Sequence, residues 1–283
     1  MSIAIKKITI FQNEGNVPAL VTVNSYQELK TYLASKPNFK VLGKGSNTVI
    51  SPNITYDLLK LSPSFNITSD QSMQQCHGTR LTVGAGVSVH QLMKIMMNNG
   101  LSGLEFMAGV PASVGGMVAM NFGCWGKEIS QFIHTVDIVF RDGHCETLKA
   151  DQLQFNYRHS IIQGSDMIVV SVTFNLHPAE SAVIKKAIKQ NINRRLSTQP
   201  LHEKTFGSVF TNPPEHSAGQ LIESLGLKGH THGQVKISDL HANFFINLGG
   251  ASYSELVELI AWVQCRVYKK YQIHLVPEVQ CFS

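Results

Sequence analysis

The chain has 283 residues, 43% hydrophobic and only 15% charged, against about 25% charged in an average soluble domain. It can therefore bury a substantial core, and wholesale disorder is excluded. With 24 Lys and Arg against 19 Asp and Glu the net charge is +5. That excess suits a phosphorylated small ligand better than duplex DNA, whose binders carry a clustered basic surface.

In chain order, Ala19–Val23 reads as a strand and Ser25-Tyr-Gln-Glu28 opens a helix, with Ser25 at the N-cap and Glu28 in the capping-box position. Lys40-Val-Leu is a strand that runs into Gly43-Lys44-Gly45-Ser46-Asn47. Consecutive N–H groups in such a turn can form an anion nest; an ordinary glycine turn fits equally well. No third glycine and no helix follow, so this is not a Rossmann fingerprint. Leu81-Thr-Val is a further strand, Gly84-Ala-Gly86 poses the same question as the first glycine turn, and a helix covers Val89–Asn99 with Leu92, Ile95 and Met96 on one face.

Phe106–Gly126 runs 21 residues without a charge, close to the roughly 20 that span a bilayer. Its five glycines, Pro111, Ser113 and Asn121 mark it instead as buried loop and short helix. Gly115 and Gly116 leave room for a flat ligand or a phosphate against the backbone, or for close helix–strand packing. Strands follow at Thr135–Phe140 and Met167–Leu176, with a hairpin turn at Arg141-Asp-Gly-His.

The composition changes near residue 178. Ser181–Leu196 is a helix rich in Lys and Arg, read as a solvated face, and a polar stretch from Ser197 follows. A second αβ pattern then has helices from Ser217 and Ser252 and strands near Asn243–Asn247 and His274. Five widely spaced cysteines without a C-x-x-C fit reduced thiols in a cytoplasmic protein. The twelve histidines form no zinc-site spacing, and Ser208 lies in no G-x-S-x-G elbow. We therefore expect no metal centre and no hydrolase triad.

Arg158 beside Tyr157 and Ser160, Ser208 after Gly207, and Glu278 in the apolar Val276–Val279 segment interrupt apolar context. By residue chemistry alone they and the glycine loops indicate a nucleotide-type ligand. In order along the chain, however, these segments resemble one family. Leu42-Gly-Lys-Gly-Ser-Asn47 is similar to its flavin-phosphate loop, and Ala108–Gly116 with Met120-Asn-x-Gly123 to its A-G-I-P-G-x-x-G-G…M-N-x-G segment. Tyr157-Arg158-x-Ser160, Gly207-Ser208-Val-Phe-x-Asn-Pro213, Ala218-Gly-x-Leu-Ile222, Gly226–Gly229, His241-Ala-Asn243 and Pro277-Glu278-Val279 follow. The family is that of the UDP-N-acetylenolpyruvoylglucosamine reductases, flavoenzymes of bacterial cell-wall synthesis. The short Asn212–Ala218 link resembles the type without the extra substrate-covering insertion.

The resemblance implies an α+β fold: a two-subdomain PCMH-type FAD-binding unit over residues 1–178, divided near 55, and a C-terminal αβ substrate-binding domain over 179–283. It implies non-covalent FAD held by Gly43, Lys44, Gly45, Ser46, Asn47, Gly109, Ser113, Gly115, Gly116, Asn121 and Gly123. NADPH would be the reductant and UDP-N-acetylglucosamine enolpyruvate the substrate, contacted by Tyr157, Lys204 and Asn212. Arg158, Ser208 and Glu278 would be catalytic, with Ser208 the proton donor and Glu278 protonated through a raised pKa. A monomer is implied, with no nucleic acid and no membrane insertion. The chain departs from the family pattern at Asn13–Ala19, which stands where T-x-x-x-G-G is usual, at Lys44 and Ala112, where glycine is common, and at Gln234-Val-Lys.

Overall fold

A computed structural model describes residues 2–35, 37–66, 75–77 and 79–283. The chain divides into two compact units, each discontinuous in sequence: residues 20–44 with 56–194, and residues 1–19 with 45–55 and 195–283.

In the unit built from 20–44 and 56–194, strands Leu20–Ser25 and Phe39–Val41 flank Asp57–Asn66 in a parallel sheet. Helix α1 (Tyr26–Ala34) connects the first to the next. Ser25 caps it as expected, its Oγ accepting from Glu28 N–H at 3.2 Å, while the Glu28 carboxylate turns back to Asn24 N–H at 2.8 Å. A five-stranded antiparallel sheet runs in the order Cys145–Lys149, Ile133–Phe140, Met167–Asn175, Arg80–Gly84, Gln75–His77. The hairpin at Arg141–His144 closes through Phe140 N–H to His144 C=O at 2.8 Å, with Gly143 left-handed.

Helix α2 (Val89–Asn99) starts on a Ser88–Gln91 capping box and ends on left-handed Gly100. It buries Val89, Leu92, Met93 and Met96. Helix α3 (Val114–Ala119) is the short helix expected inside the uncharged stretch. Among the described residues no helix is long and apolar enough to cross a membrane. Helix α4 (Ser181–Thr198) leaves Lys185, Lys186, Lys189 and Arg194 exposed, as the solvated-face reading requires, but its last basic residue, Arg195, is buried and departs from that reading.

The other unit packs helices α5 (Ala218–Ser224) and α6 (Tyr253–Tyr271) around a core that includes Phe11, Val49, Phe206, Val209, Phe245 and Val263. Ser217 and Ser252 cap these helices, which begin where expected. Phe245–Asn247 pairs antiparallel with Val235–Ile237, and Gln280–Phe282 pairs parallel with Thr48–Ile50. The strand expected near His274 is not formed. Residues 272–276 are irregular; the segment meets its neighbour at the isolated Phe210–Pro277 bridge, where Thr211 N–H donates to the Val276 carbonyl at 2.9 Å and Glu278 N–H to the Val209 carbonyl at 2.8 Å.

Candidate active site

The loop Gly43–Asn47 follows strand Phe39–Val41; Gly45 is required sterically, while Gly43 lies against a side-chain hydroxyl. A Cβ on Gly43 would lie 2.8 Å from Ser113 Oγ and 3.9 Å from Gly116 Cα. Gly45 is left-handed at φ 64°, and a Cβ there would sit 2.4 Å from the Ile8 carbonyl oxygen. Lys44 is exposed. Just outside the loop lies Lys60, whose ammonium burial and the neighbouring Lys44 charge push below the ordinary lysine range. Backbone bared by Gly43 beside a serine hydroxyl, with two lysines near, fits the phosphate end of a dinucleotide.

The second glycine question has a different answer. A Cβ on Gly86 would lie 2.3 Å from the Ser62 carbonyl oxygen, and one on Gly115 would lie 2.8 Å from Ala85 Cβ. The Val114 and Gly115 N–H groups bond to Val87 and Ala85 carbonyls, each at 2.9 Å. Here Gly115 serves close packing of α3 on the turn after strand Arg80–Gly84, and Gly86 lets that turn pass against the Leu61–Ser62 backbone. Ser113 is buried at the start of α3 and Gly109 is left-handed at φ 85°.

Two motifs far apart in sequence lock onto each other. Asn156 and His159 exchange backbone bonds at 3.0 Å, so Tyr157 and Arg158 form the tip of a tight turn, with Arg158 at φ 55°. Arg158 donates to the Gly123 carbonyl at 2.5 Å, Asn121 Nδ2 donates to the Asn156 carbonyl at 2.9 Å, and Ser160 Oγ donates to the Ala119 carbonyl at 2.7 Å. Asn121 is fully buried and also serves Glu128 and the Ser130 N–H. Its side chain therefore fixes the Arg158 turn. The Arg158 guanidinium lies over the half-exposed Tyr157 ring, 4.8 Å from its centre.

Ser208 and Glu278 lie on neighbouring segments. Ser208 follows left-handed Gly207 and bridges Phe244, while Phe210 bridges Pro277. Between them Val209 accepts from the Glu278 N–H at 2.8 Å. Both Ser208 and Glu278 are partly buried. Asn47 joins the same group: its Nδ2 donates to the Glu278 carbonyl at 3.0 Å and its carbonyl accepts from Gln280 N–H at 2.9 Å. The last residue of the glycine loop thus holds the Glu278 backbone, a role its position in the loop did not signal. Asn212 is exposed and its Oδ1 caps α5 through the Ala218 N–H at 3.0 Å; Lys204 is exposed.

His241 entered the sequence reading only as part of the His241-Ala-Asn243 motif, with no role of its own. Burial pushes its imidazole below the usual value of 6.5, with Lys228 adding to the effect, against a backbone hydrogen bond and Glu223 that raise it. The folded state therefore resists protonation that the unfolded chain accepts. Its contribution is neutral above pH 6.5, and stability falls as pH drops below that value. A His241→Gln variant is expected to lose less stability than wild type between pH 7 and 5, measured by urea midpoints. A parallel decline would sink this account.

An FAD-binding domain model matches residues 17–149, which makes this a flavoprotein oxidoreductase. Residues 199–282 match the UDP-N-acetylenolpyruvoylglucosamine reductase C-terminal domain. A reductase of that name from Halalkalibacterium halodurans is 39% identical over 244 residues, covering 86% of this chain and 79% of the relative. The one from Latilactobacillus sakei is 34% identical over 280 residues, covering 98% and 90%. The crystal structure of the reductase from Thermus caldophilus superposes with a TM-score of 0.83 at 31% identity, over 100% of this chain and 98% of that one. The chain belongs to the UDP-N-acetylenolpyruvoylglucosamine reductase family, with the α+β, PCMH-type architecture its motifs implied.

Proposed function

We propose that the chain reduces UDP-N-acetylglucosamine enolpyruvate to UDP-N-acetylmuramate at the expense of NADPH, the reductive step in making a peptidoglycan precursor. The observation that carries this reading is the Glu278 N–H bond to the Val209 carbonyl, which sets the Glu278 segment beside the segment of Ser208, in a chain of this family. Bound FAD supplies a two-electron carrier between NADPH and C3 of the enolpyruvyl group.

The chain's own side chains manage the charge and the second hydrogen. Arg158 holds the substrate carboxylate through its planar fork. Negative charge builds on C2 and that carboxylate as C3 is reduced, and preorganised donors lower the energy of this state. Glu278, protonated, donates to it. Ser208 Oγ–H passes its proton to C2, completing saturation of the double bond. Gly43, Lys44, Gly45, Ser46, Gly109, Ser113 and Gly116 hold the flavin nucleotide, and Asn47, Gly115, Asn121 and Gly123 shape that site through the backbone they fix. Tyr157, Lys204 and Asn212 meet the nucleotide-sugar diphosphate. Residues 1–178 carry the flavin and 179–283 the sugar nucleotide, in a cytoplasmic monomer.

The test is NADPH consumption by the flavin-loaded protein with and without the enolpyruvate. Consumption that requires the enolpyruvate is the expected result. Oxygen-driven consumption indifferent to that substrate would make the chain an oxidase instead.

A further inference from the structure

Asn243 is 3% exposed, and its carboxamide is spent on one residue. Its Oδ1 accepts from the Phe210 N–H at 3.0 Å and its Nδ2 donates to the Phe210 carbonyl at 2.8 Å. A carboxamide offers the same donor and acceptor as a peptide group, so this side chain acts as an extra rung beside the segment that carries Ser208. The Asn243 backbone carbonyl supplies another, accepting from the Val209 N–H at 2.8 Å. Val209 in turn accepts from the Glu278 N–H. Asn243, Val209 and Glu278 therefore form one continuous hydrogen-bonded rail, with Ser208 at its near end.

Asn243 is itself held rigidly. Its N–H donates to His241 Nδ1 at 3.2 Å, and Phe244 N–H returns to the His241 carbonyl at 2.9 Å. At the other end of the contact Phe210 is 1% exposed and meets Phe245 edge-on, with ring centres 6.3 Å apart. Hydrogen bonds shielded from water in this way are stiff and costly to lose.

We infer that Asn243 is a positioning residue for proton delivery, setting the register of the Ser208 segment against Glu278. The inference rests on the proposed role of Ser208. Catalytic groups must sit within about 0.5 Å of productive geometry, and a misplacement of about 1 Å costs on the order of 100-fold in rate. Asn243→Asp keeps the volume and the acceptor for Phe210 N–H but sets a carboxylate oxygen against the Phe210 carbonyl.

The experiment follows the two half-reactions of the flavin-loaded full chain by rapid mixing, with Ser208→Ala alongside. For Asn243→Asp we expect flavin reduction by NADPH within about twofold of wild type. Reoxidation by the enolpyruvate should slow roughly 30- to 100-fold, with an enlarged solvent deuterium isotope effect. Wild-type reoxidation and isotope effect in Asn243→Asp, with Ser208→Ala slow, would overturn the inference alone. Wild-type reoxidation in Ser208→Ala would instead remove the reading on which it stands. Should Asn243→Asp fail to fold, Asn243→Ser is read by the same criteria. Equal loss of both half-reactions, or no flavin-loaded protein from either variant, would assign Asn243 to the scaffold and overturn the inference.

Discussion

Ser208→Ala is expected to lower turnover by about 10²- to 10⁴-fold, the range typical of losing a positioned general acid, while NADPH still reduces the bound flavin. The division follows from where the hydroxyl acts. In the proposed mechanism it gives its proton after electrons have reached the substrate, so nothing upstream depends on it. Ser208 follows left-handed Gly207 and lies beside the buried Val209, whose backbone is bonded on both sides, so the serine-to-alanine change leaves the frame intact. Stopped-flow absorbance of the flavin separates the two steps. Slow reduction by NADPH in this variant, or fast reoxidation by the enolpyruvate, would count against Ser208 as the donor.

The largest stability effect is expected from Gly45→Ala. The residue sits at φ 64°, and the added carbon would lie 2.4 Å from the Ile8 carbonyl oxygen and 2.8 Å from Thr9 Cα. Both are backbone atoms that cannot swing aside, and the Gly45 carbonyl also anchors Ile10 N–H at 2.9 Å. Strain of this kind costs about 3 kcal/mol, or roughly 6–12 °C in melting temperature for a chain of this size. Flavin retention should fall with it, because the loop has to move away from Ile8 and Thr9. Gly126→Ala is the control. Gly126 is also left-handed, at φ 79°, but meets nothing within 4 Å, so it pays only the conformational cost of about 1 kcal/mol. Thermal melts of the two variants with equal losses would show that the contact with residues 8 and 9 is unimportant.

Much of the local structure was legible in short windows. Ser25, Ser88, Ser217 and Ser252 each cap the helix that follows, because a cap needs only its own side chain and the next few N–H groups. The uncharged stretch from Phe106 to Gly126 was legible as loop and short helix from its glycines and Pro111. The missed strand near His274 shows the limit. Pairing depends on a partner, and the segment after His274 meets residues 209–211, over 60 positions earlier.

The ordered motifs and their residue types determined the family, the flavin and the reaction class, because each motif is contiguous and carries its chemistry within a few residues. Tertiary structure alone decided how those motifs spend their hydrogen bonds. Asn121 turned out to hold the Arg158 turn, Asn47 the Glu278 backbone 231 positions away, and Asn243 the Ser208 segment. A carboxamide can serve ligand or backbone equally well, and only the path of the chain brings one of them within 3 Å.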